Sequence, residues 1–292
     1  MNRSNVPYTL VLGISQDGGY PQAGNKSSPA WDDHSRRRLA ACIALVDPGG
    51  GGRWLFDATP DFKEQLHRLD VAAPDDRVPG LDAILLTHAH IGHYTGLIHL
   101  SRETIGSRGL PLYAMPRMEQ FLRRNGPWEQ LVTLNNVVIK PLREKTPVEL
   151  TDDLSVTPLL VPHRDEYSET VAFRITGPSR SVLFLPDING WDEWDAWGTR
   201  IEDVLATVDV AYLDGTFLSS DELPGRNLAE IPHPLIADSI ARFTTLPERE
   251  RGKIRFIHLN QSNPLIDETD DAHATLRRSG LGAAREGELV RI

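Results

Sequence analysis

The 292 residues are 40% hydrophobic and 25% charged, which is ample material for a buried core, and their formal net charge is −10. Binding to a phosphate backbone needs a basic stripe; none is visible, which argues against nucleic acid as a partner. A single cysteine, Cys42, excludes an intrachain disulfide framework and a cysteine-rich zinc site.

The opening MNRSNVPYTLVLG has one early arginine and an apolar stretch too short for a signal peptide, without a cleavage pattern. No apolar run reaches the ~18–20 residues needed to span a bilayer. A cytoplasmic protein without a membrane partner is expected.

In chain order, short apolar and β-branched runs at 8–12, 40–46 and 53–56 read as strands punctuated by glycine. Cys42 lies in the second, as a small buried hydrophobe. The run PGGGG (48–52) reads as a hairpin connection. Thr59 and Pro60 open a helix as N-cap and first helical residue, with Phe62, Leu66 and Leu69 at helical spacing.

A strand at 83–86 runs directly into a histidine cluster. Helices follow at 94–105 and 116–125, with the strand LPLYAM between them. Further strands are expected at 137–140, 154–161, 170–176, 181–185, 208–213 and 255–259, and helices at 201–207, 234–243 and 272–279. Trp191, Trp194 and Trp197, at helical spacing, read as packing residues. No linker, repeat or low-complexity segment divides the chain, so a single domain over 1–292 is expected. Two similar β-rich halves covered by helices imply two packed sheets.

Three of the ten histidines fall within HAHIGH: His88, His90 and His93. In extended backbone alternate side chains share a side, so His88 and His90 can face one metal, while His93 approaches from the next turn. Three histidines with an open position make a catalytic zinc site, and imidazole suits iron equally. His163 ends one strand, Asp187 another, and His258 lies near the end of a third, just before Asn260. Each has a mundane alternative as a turn or core residue. Their recurrence at strand ends, which converge on one rim in layered α/β proteins, points to a shared site. His34, His67, His99 and His273 read as surface residues.

The order His88, His90, His93, His163, Asp187, His258 resembles the metallo-β-lactamase superfamily, whose signature is HxHxDH, a distant His, a bridging Asp and a last His. GISQDGGYPQ (13–22), LTHAHIGHYTGL (86–97), LDGTF (213–217), IPHPLI (231–236) and FIHLNQSNPL (256–265) are similar to the coenzyme PQQ synthesis protein B group within it. The resemblance implies an α/β (α+β) fold, a four-layer αββα sandwich. It further implies that His88, His90 and His163 hold one metal while His93, Asp187 and His258 surround a second.

One position departs from the signature: Gly92 stands where its aspartate should be. Loss of that negative charge is expected to weaken the second site, leaving zinc at one firm site, with iron as the alternative metal. Asp17 in QDGG or Asp214 in LDGTF is a candidate replacement ligand, although Asp-Gly-Gly is also a turn sequence. Asn260 is a candidate for substrate binding or replacement ligation. His233, between two prolines, is a candidate proton donor.

Three functional expectations follow. The first is hydrolysis of a small-molecule substrate by metal-activated water, with Asp187 and His233 as catalytic residues. The second, implied by the closer resemblance, is iron-dependent oxidation. The third is a non-catalytic metal- or ligand-binding protein, favoured by Gly92. A homodimer is an open possibility.

Overall fold

The computed structural model describes residues 5–222, 225, 232–267 and 271–292. The first half runs β1 (Tyr8–Gly13), β2 (Cys42–Asp47), β3 (Gly52–Phe56), α1 (Phe62–Ala72), β4 (Ala83–Leu85), α2 (Ile91–Tyr94), β5 (Leu110–Ala114), α3 (Pro116–Arg124), α4 (Trp128–Thr133) and β6 (Val137–Pro141). The second half begins with β7 (Val148–Glu149), β8 (Ser155–Val161), β9 (Thr170–Thr176), β10 (Ser181–Leu185), α5 (Trp191–Ala196), α6 (Ile201–Leu205) and β11 (Val210–Asp214). It continues through α7 (Ile236–Phe243), α8 (Glu248–Arg251), β12 (Ile254–Ile257), α9 (Ala272–Arg278), β13 (Gly282–Ala283) and β14 (Leu289–Arg291).

Two seven-stranded sheets result, in the orders β14-β1-β2-β3-β4-β5-β6 and β13-β12-β11-β10-β9-β8-β7. The halves repeat one logic. β1–β2–β3 and β7–β8–β9–β10 pair antiparallel; β3–β4–β5–β6 and β10–β11–β12–β13 pair parallel. Parallel strands end at the same side, and loops leaving those ends build the site.

The burial pattern explains the layers. Along β3, Trp54 and Phe56 face the second sheet while Leu55 faces the helices, so the strand is apolar throughout rather than alternating. Phe56 meets Phe173 of β9 and Phe184 of β10 edge-on, with ring centroids 5.5 and 6.4 Å away. Each such aromatic burial contributes ~1.5–3 kcal/mol.

Phe62 and Leu69 of α1, Met118 and Leu122 of α3 and Leu131 of α4 cover the outer face of the first sheet. Trp191 and Trp194 of α5, Ile201 of α6, Phe243 of α7 and Leu276 of α9 belong to the core that includes the second sheet. The fold is therefore the expected four-layer αββα sandwich. Among the described residues no helix is long and apolar enough to cross a membrane.

Several expectations need adjusting. The first helix begins at Phe62, not Pro60. Thr59 closes a turn instead, accepting at Oγ1 from the Asp61 amide (3.1 Å) and at its carbonyl from Phe62 N. The helix expected over 94–105 is one α-turn followed by 3-10 turns to Leu100. The chain is pressed closely there, since a Cβ on Gly96 would lie 2.1 Å from the Thr59 carbonyl oxygen.

His273 is buried, not on the surface; its Nε2–H donates to the Leu265 carbonyl (3.0 Å) from the inner face of α9. His99 is half-buried, stacked on Phe62. Trp191 and Trp194 are buried as expected, while Trp197 is 56% exposed. Cys42 is buried. The edge strands β7, β13 and β14 were too short to leave a pattern in the sequence.

Candidate metal centre

Asp57 follows β3, His88 follows β4, His163 follows β8, Asp187 follows β10, Asp214 ends β11 and His258 follows β12. His88, His93, His163, Asp187 and His258 are each no more than 6% exposed, an unusual concentration of buried ionisable groups. Two of these positions are locally strained. Asp57 and His258 adopt φ values of +67° and +64°, a conformation costing a non-glycine residue about 1–3 kcal/mol. For His258 the neighbouring Leu259 amide, bonded to the Ile14 carbonyl (2.8 Å), holds the turn.

The donor atoms fall into sets. His88 Nε2 lies 2.9 Å from His90 Nδ1, and His163 Nε2 lies 3.2 Å from the same atom. Asp17, His93 and His258 form a second set, with Asp17 Oδ1 3.4 Å from His93 Nε2 and 3.6 Å from His258 Nε2. Asp187 stands between the two. Its Oδ2 is 2.9 Å from His93 Nε2, 3.4 Å from His258 Nε2 and 3.9 Å from His88 Nε2, and its Oδ1 is 3.7 Å from His163 Nε2. Each set could hold a metal ion.

An outer partner fixes most of these rings. Thr87 Oγ1 donates to Asp57 and accepts from His88 Nδ1 (2.9 Å). His93 Nδ1 donates to Asp57 Oδ2 (2.7 Å). Thr216 Oγ1 donates to Asp214 Oδ1 (2.7 Å) and accepts from His258 Nδ1 (3.0 Å). Glu166 Oε2 takes His90 Nε2 at 3.3 Å. An oxygen on one ring nitrogen leaves the other with its lone pair toward the centre, the arrangement found around metal-bound histidines.

Of the inward-facing donor atoms, four are buried without a hydrogen bond of good geometry: Asp17 Oδ1, His93 Nε2, Asp187 Oδ2 and His258 Nε2. Leaving such atoms unpaired costs about 1–3 kcal/mol each; three belong to the second set and the fourth to Asp187, which stands between the sets. A divalent cation satisfies them together, so the residues present fit a metal.

For His88, His90, His163 and the two carboxylates the electrostatics agree. Burial, reinforced by the charge of His93, holds His88 well below the usual histidine range, and burial brings His163 down to about 4 and lowers His90. All three therefore offer neutral lone pairs at pH 7. Burial pushes the carboxyls of Asp17 and Asp187 up, but the facing histidines outweigh it and hold both well below the usual carboxylate range. Burial disfavours a charged His93, yet Asp57 and Asp187 win and raise it well above its ordinary value.

Other sequence candidates take different places. Asp214 is fully buried and committed: Oδ1 accepts from Thr216 N and Oγ1, and Oδ2 accepts from Ile188 N (3.0 Å) and His233 Nδ1 (2.7 Å). It does not fill the gap beside Gly92. His233 reaches the site from just ahead of α7, its ring 5.4 Å from that of His163, and Nδ1 lies 3.9 Å from Asp187 Oδ1. Asn260 is tied to the Gln16 side chain and accepts from Ser262, so it braces the loops instead of joining a donor set.

Sequence reasoning missed Asp57, Thr87, Thr216 and Glu166. The signals were an aspartate ending the apolar run WLF and threonines directly beside HAH and after Asp214-Gly215.

Comparison with known proteins decides the family, because the beta-lactamase superfamily domain matches residues 52–275. The chain belongs to the β-lactamase superfamily. Among curated relatives, coenzyme PQQ synthesis protein B of Xanthomonas axonopodis pv. citri is 29% identical, covering 95% of this chain and 97% of its own length. The Methylorubrum extorquens protein of the same name is 24% identical over 96% and 98%.

Among solved structures, zinc-bound PqqB from Methylobacterium extorquens superposes with a TM-score of 0.81 at 23% identity, over 98% of this chain and 100% of that one. A diphosphatase of the PhnP family gives 0.67 at 20% identity, over 98% and 97%. The fold is thus shared along essentially the whole chain, and the likeness to the PQQ synthesis B group expected from the motifs is found.

Proposed function

We propose that this β-lactamase superfamily protein is a metal-dependent hydrolase acting on a small molecule. His88, His90 and His163 hold one ion, and His93 and His258 take part in a second set, with Asp187 shared. The observation that carries this reading is the convergence of histidine and carboxylate donor atoms, most of them buried, on both sides of Asp187. A divalent ion held there would lower the pKa of a bound water toward neutrality and polarise the substrate oxygen under attack.

The remaining chemistry belongs to the side chains. Asp187, between the sets, is placed to accept a hydrogen bond from the attacking water and so orient it. Asp214 holds His233 Nδ1 and fixes the ring; burial disfavours a charged imidazole there, but Asp214 and Asp187 outweigh it and raise its pKa, so the protonated ring carries on Nε2 the proton it donates. As the water oxygen bonds to the electrophilic centre and the bond to the leaving group breaks, His233 gives that group its proton.

A second reading, iron-dependent oxidation, is favoured by the end-to-end similarity to coenzyme PQQ synthesis protein B. It also draws on His93, His258 and Asp187, two histidines and a carboxylate. The purely binding role loses the feature that favoured it, because a carboxylate occupies the space beside Gly92.

Metal analysis of protein purified without chelator, followed by assays of ester, thioester and phosphodiester substrates with and without dioxygen, separates the readings. Zinc content with turnover unchanged under anaerobic conditions and abolished by a chelator is the expected outcome. Iron content with strictly oxygen-dependent turnover would overturn the hydrolase.

A further inference from the structure

We infer that Asp17 is the carboxylate ligand missing from position 92, supplied by the loop after β1 in place of the turn that carries His93. This rests on the metal-dependent reading above and deepens it by completing the second set of ligands.

The two positions occupy one space. A Cβ placed on Gly92 would lie 1.9 Å from Asp17 Oδ1 and 2.6 Å from Asp17 Cα, distances no real side chain tolerates. Gly92 is thus the condition for Asp17 to enter, and the substitution that looked like decay of the site is half of an exchange. Asp17 brings its Oδ1 toward His93 Nε2 and His258 Nε2, and with Asp187 Oδ2 these make two oxygens and two nitrogens, all buried and unpartnered. The set regains the negative charge that Gly92 removes.

The loop is built to hold this position. Gln16 N donates to the Leu259 carbonyl (2.8 Å), Leu259 N donates to Ile14 (2.8 Å), and Ala41 N donates to Ser15 (2.7 Å). The backbone bearing Asp17 is therefore sewn directly to the segment bearing His258. A turn is present, as Asp-Gly-Gly suggests, but it is closed by the backbone, Gly19 N to the Gln16 carbonyl (2.9 Å), with Gly19 at φ +73°. It makes no use of Asp17 Oδ1, which stays aimed inward.

The test is metal stoichiometry, measured by mass spectrometry on full-length protein loaded with excess zinc and desalted. Wild type is expected to retain two zinc ions per chain. Asp17→Asn, the same shape without the charge, is expected to retain one, with the second bound at least about 100-fold more weakly, since even outer partners of ligands are worth about 10–100-fold. Gly92→Ala is expected to lose the same ion, because its methyl group takes the carboxylate's place; it also serves if Asp17→Asn fails to fold. Circular dichroism of the zinc-free proteins checks the fold. Retention of two tightly bound ions by either variant overturns the assignment, as does a wild type holding only one. A wild type holding none overturns the metal-dependent reading itself, which distinguishes the two failures.

Discussion

Asp187→Ala is expected to lower kcat/KM for hydrolysis by more than about 10³-fold, roughly 4 kcal/mol of transition-state stabilisation. Among the described residues, Asp187 is the one carboxylate within 4 Å of His88, His93, His163 and His258 together. Removing it takes away a shared ligand and the negative charge that offsets a buried cation, so the remaining neutral imidazoles hold the ion less tightly. Zinc content is expected to fall in parallel. The isosteric Asp187→Asn separates charge from packing: the same kinetic loss with unchanged secondary structure identifies the charge as the cause. Full activity in either variant would remove this site from the chemistry.

His233→Gln is expected to behave differently. The glutamine keeps a polar side chain of similar reach but cannot give up a proton, so kcat is expected to fall by about 10²–10⁴-fold, the usual range for a general acid. KM and metal content are expected to stay near wild type, because the His233 side chain pairs with Asp214 at 2.7 Å and lies 3.9 Å from Asp187 Oδ1, beyond hydrogen-bond reach. The deciding readout is leaving-group dependence. A nitrophenolate, which departs without protonation, is expected to be nearly insensitive to the substitution, whereas an alkoxide leaving group shows the whole loss. Equal losses for both would make His233 a structural residue.

Much of this was legible in the sequence because the physics is local. Strand runs such as 181–185 are apolar and short, and the residue just beyond each strand end is placed by the sheet itself. That is why His88, His163, Asp187 and His258 are assignable to one rim from the sequence. Helix starts were read less well. Thr59-Pro60 has the composition of a cap, but the backbone there is committed to a turn that also packs against Gly96.

Contacts across long sequence separations were hardest to read. Nothing adjacent to Gly92 shows that Asp17, some 75 residues earlier, fills its space, because that depends on β1 and β12 emerging side by side. Asp57 was missed for the same reason. It looks like a turn residue after a strand, and its purpose appears only when His93, 36 positions later, turns Nδ1 toward it at 2.7 Å. His273 was misread because a short helix gives too few turns to distinguish its buried face.

Diffraction from zinc-loaded crystals, recorded at the zinc absorption edge, locates the ions themselves. Two anomalous peaks per chain are expected, one within bonding distance of His88 Nε2, His90 Nδ1 and His163 Nε2, the other among Asp17, His93 and His258, with Asp187 reaching both. Peaks absent from this rim, or located on surface carboxylates while the histidine rings keep their present contacts, would contradict the metal-dependent reading.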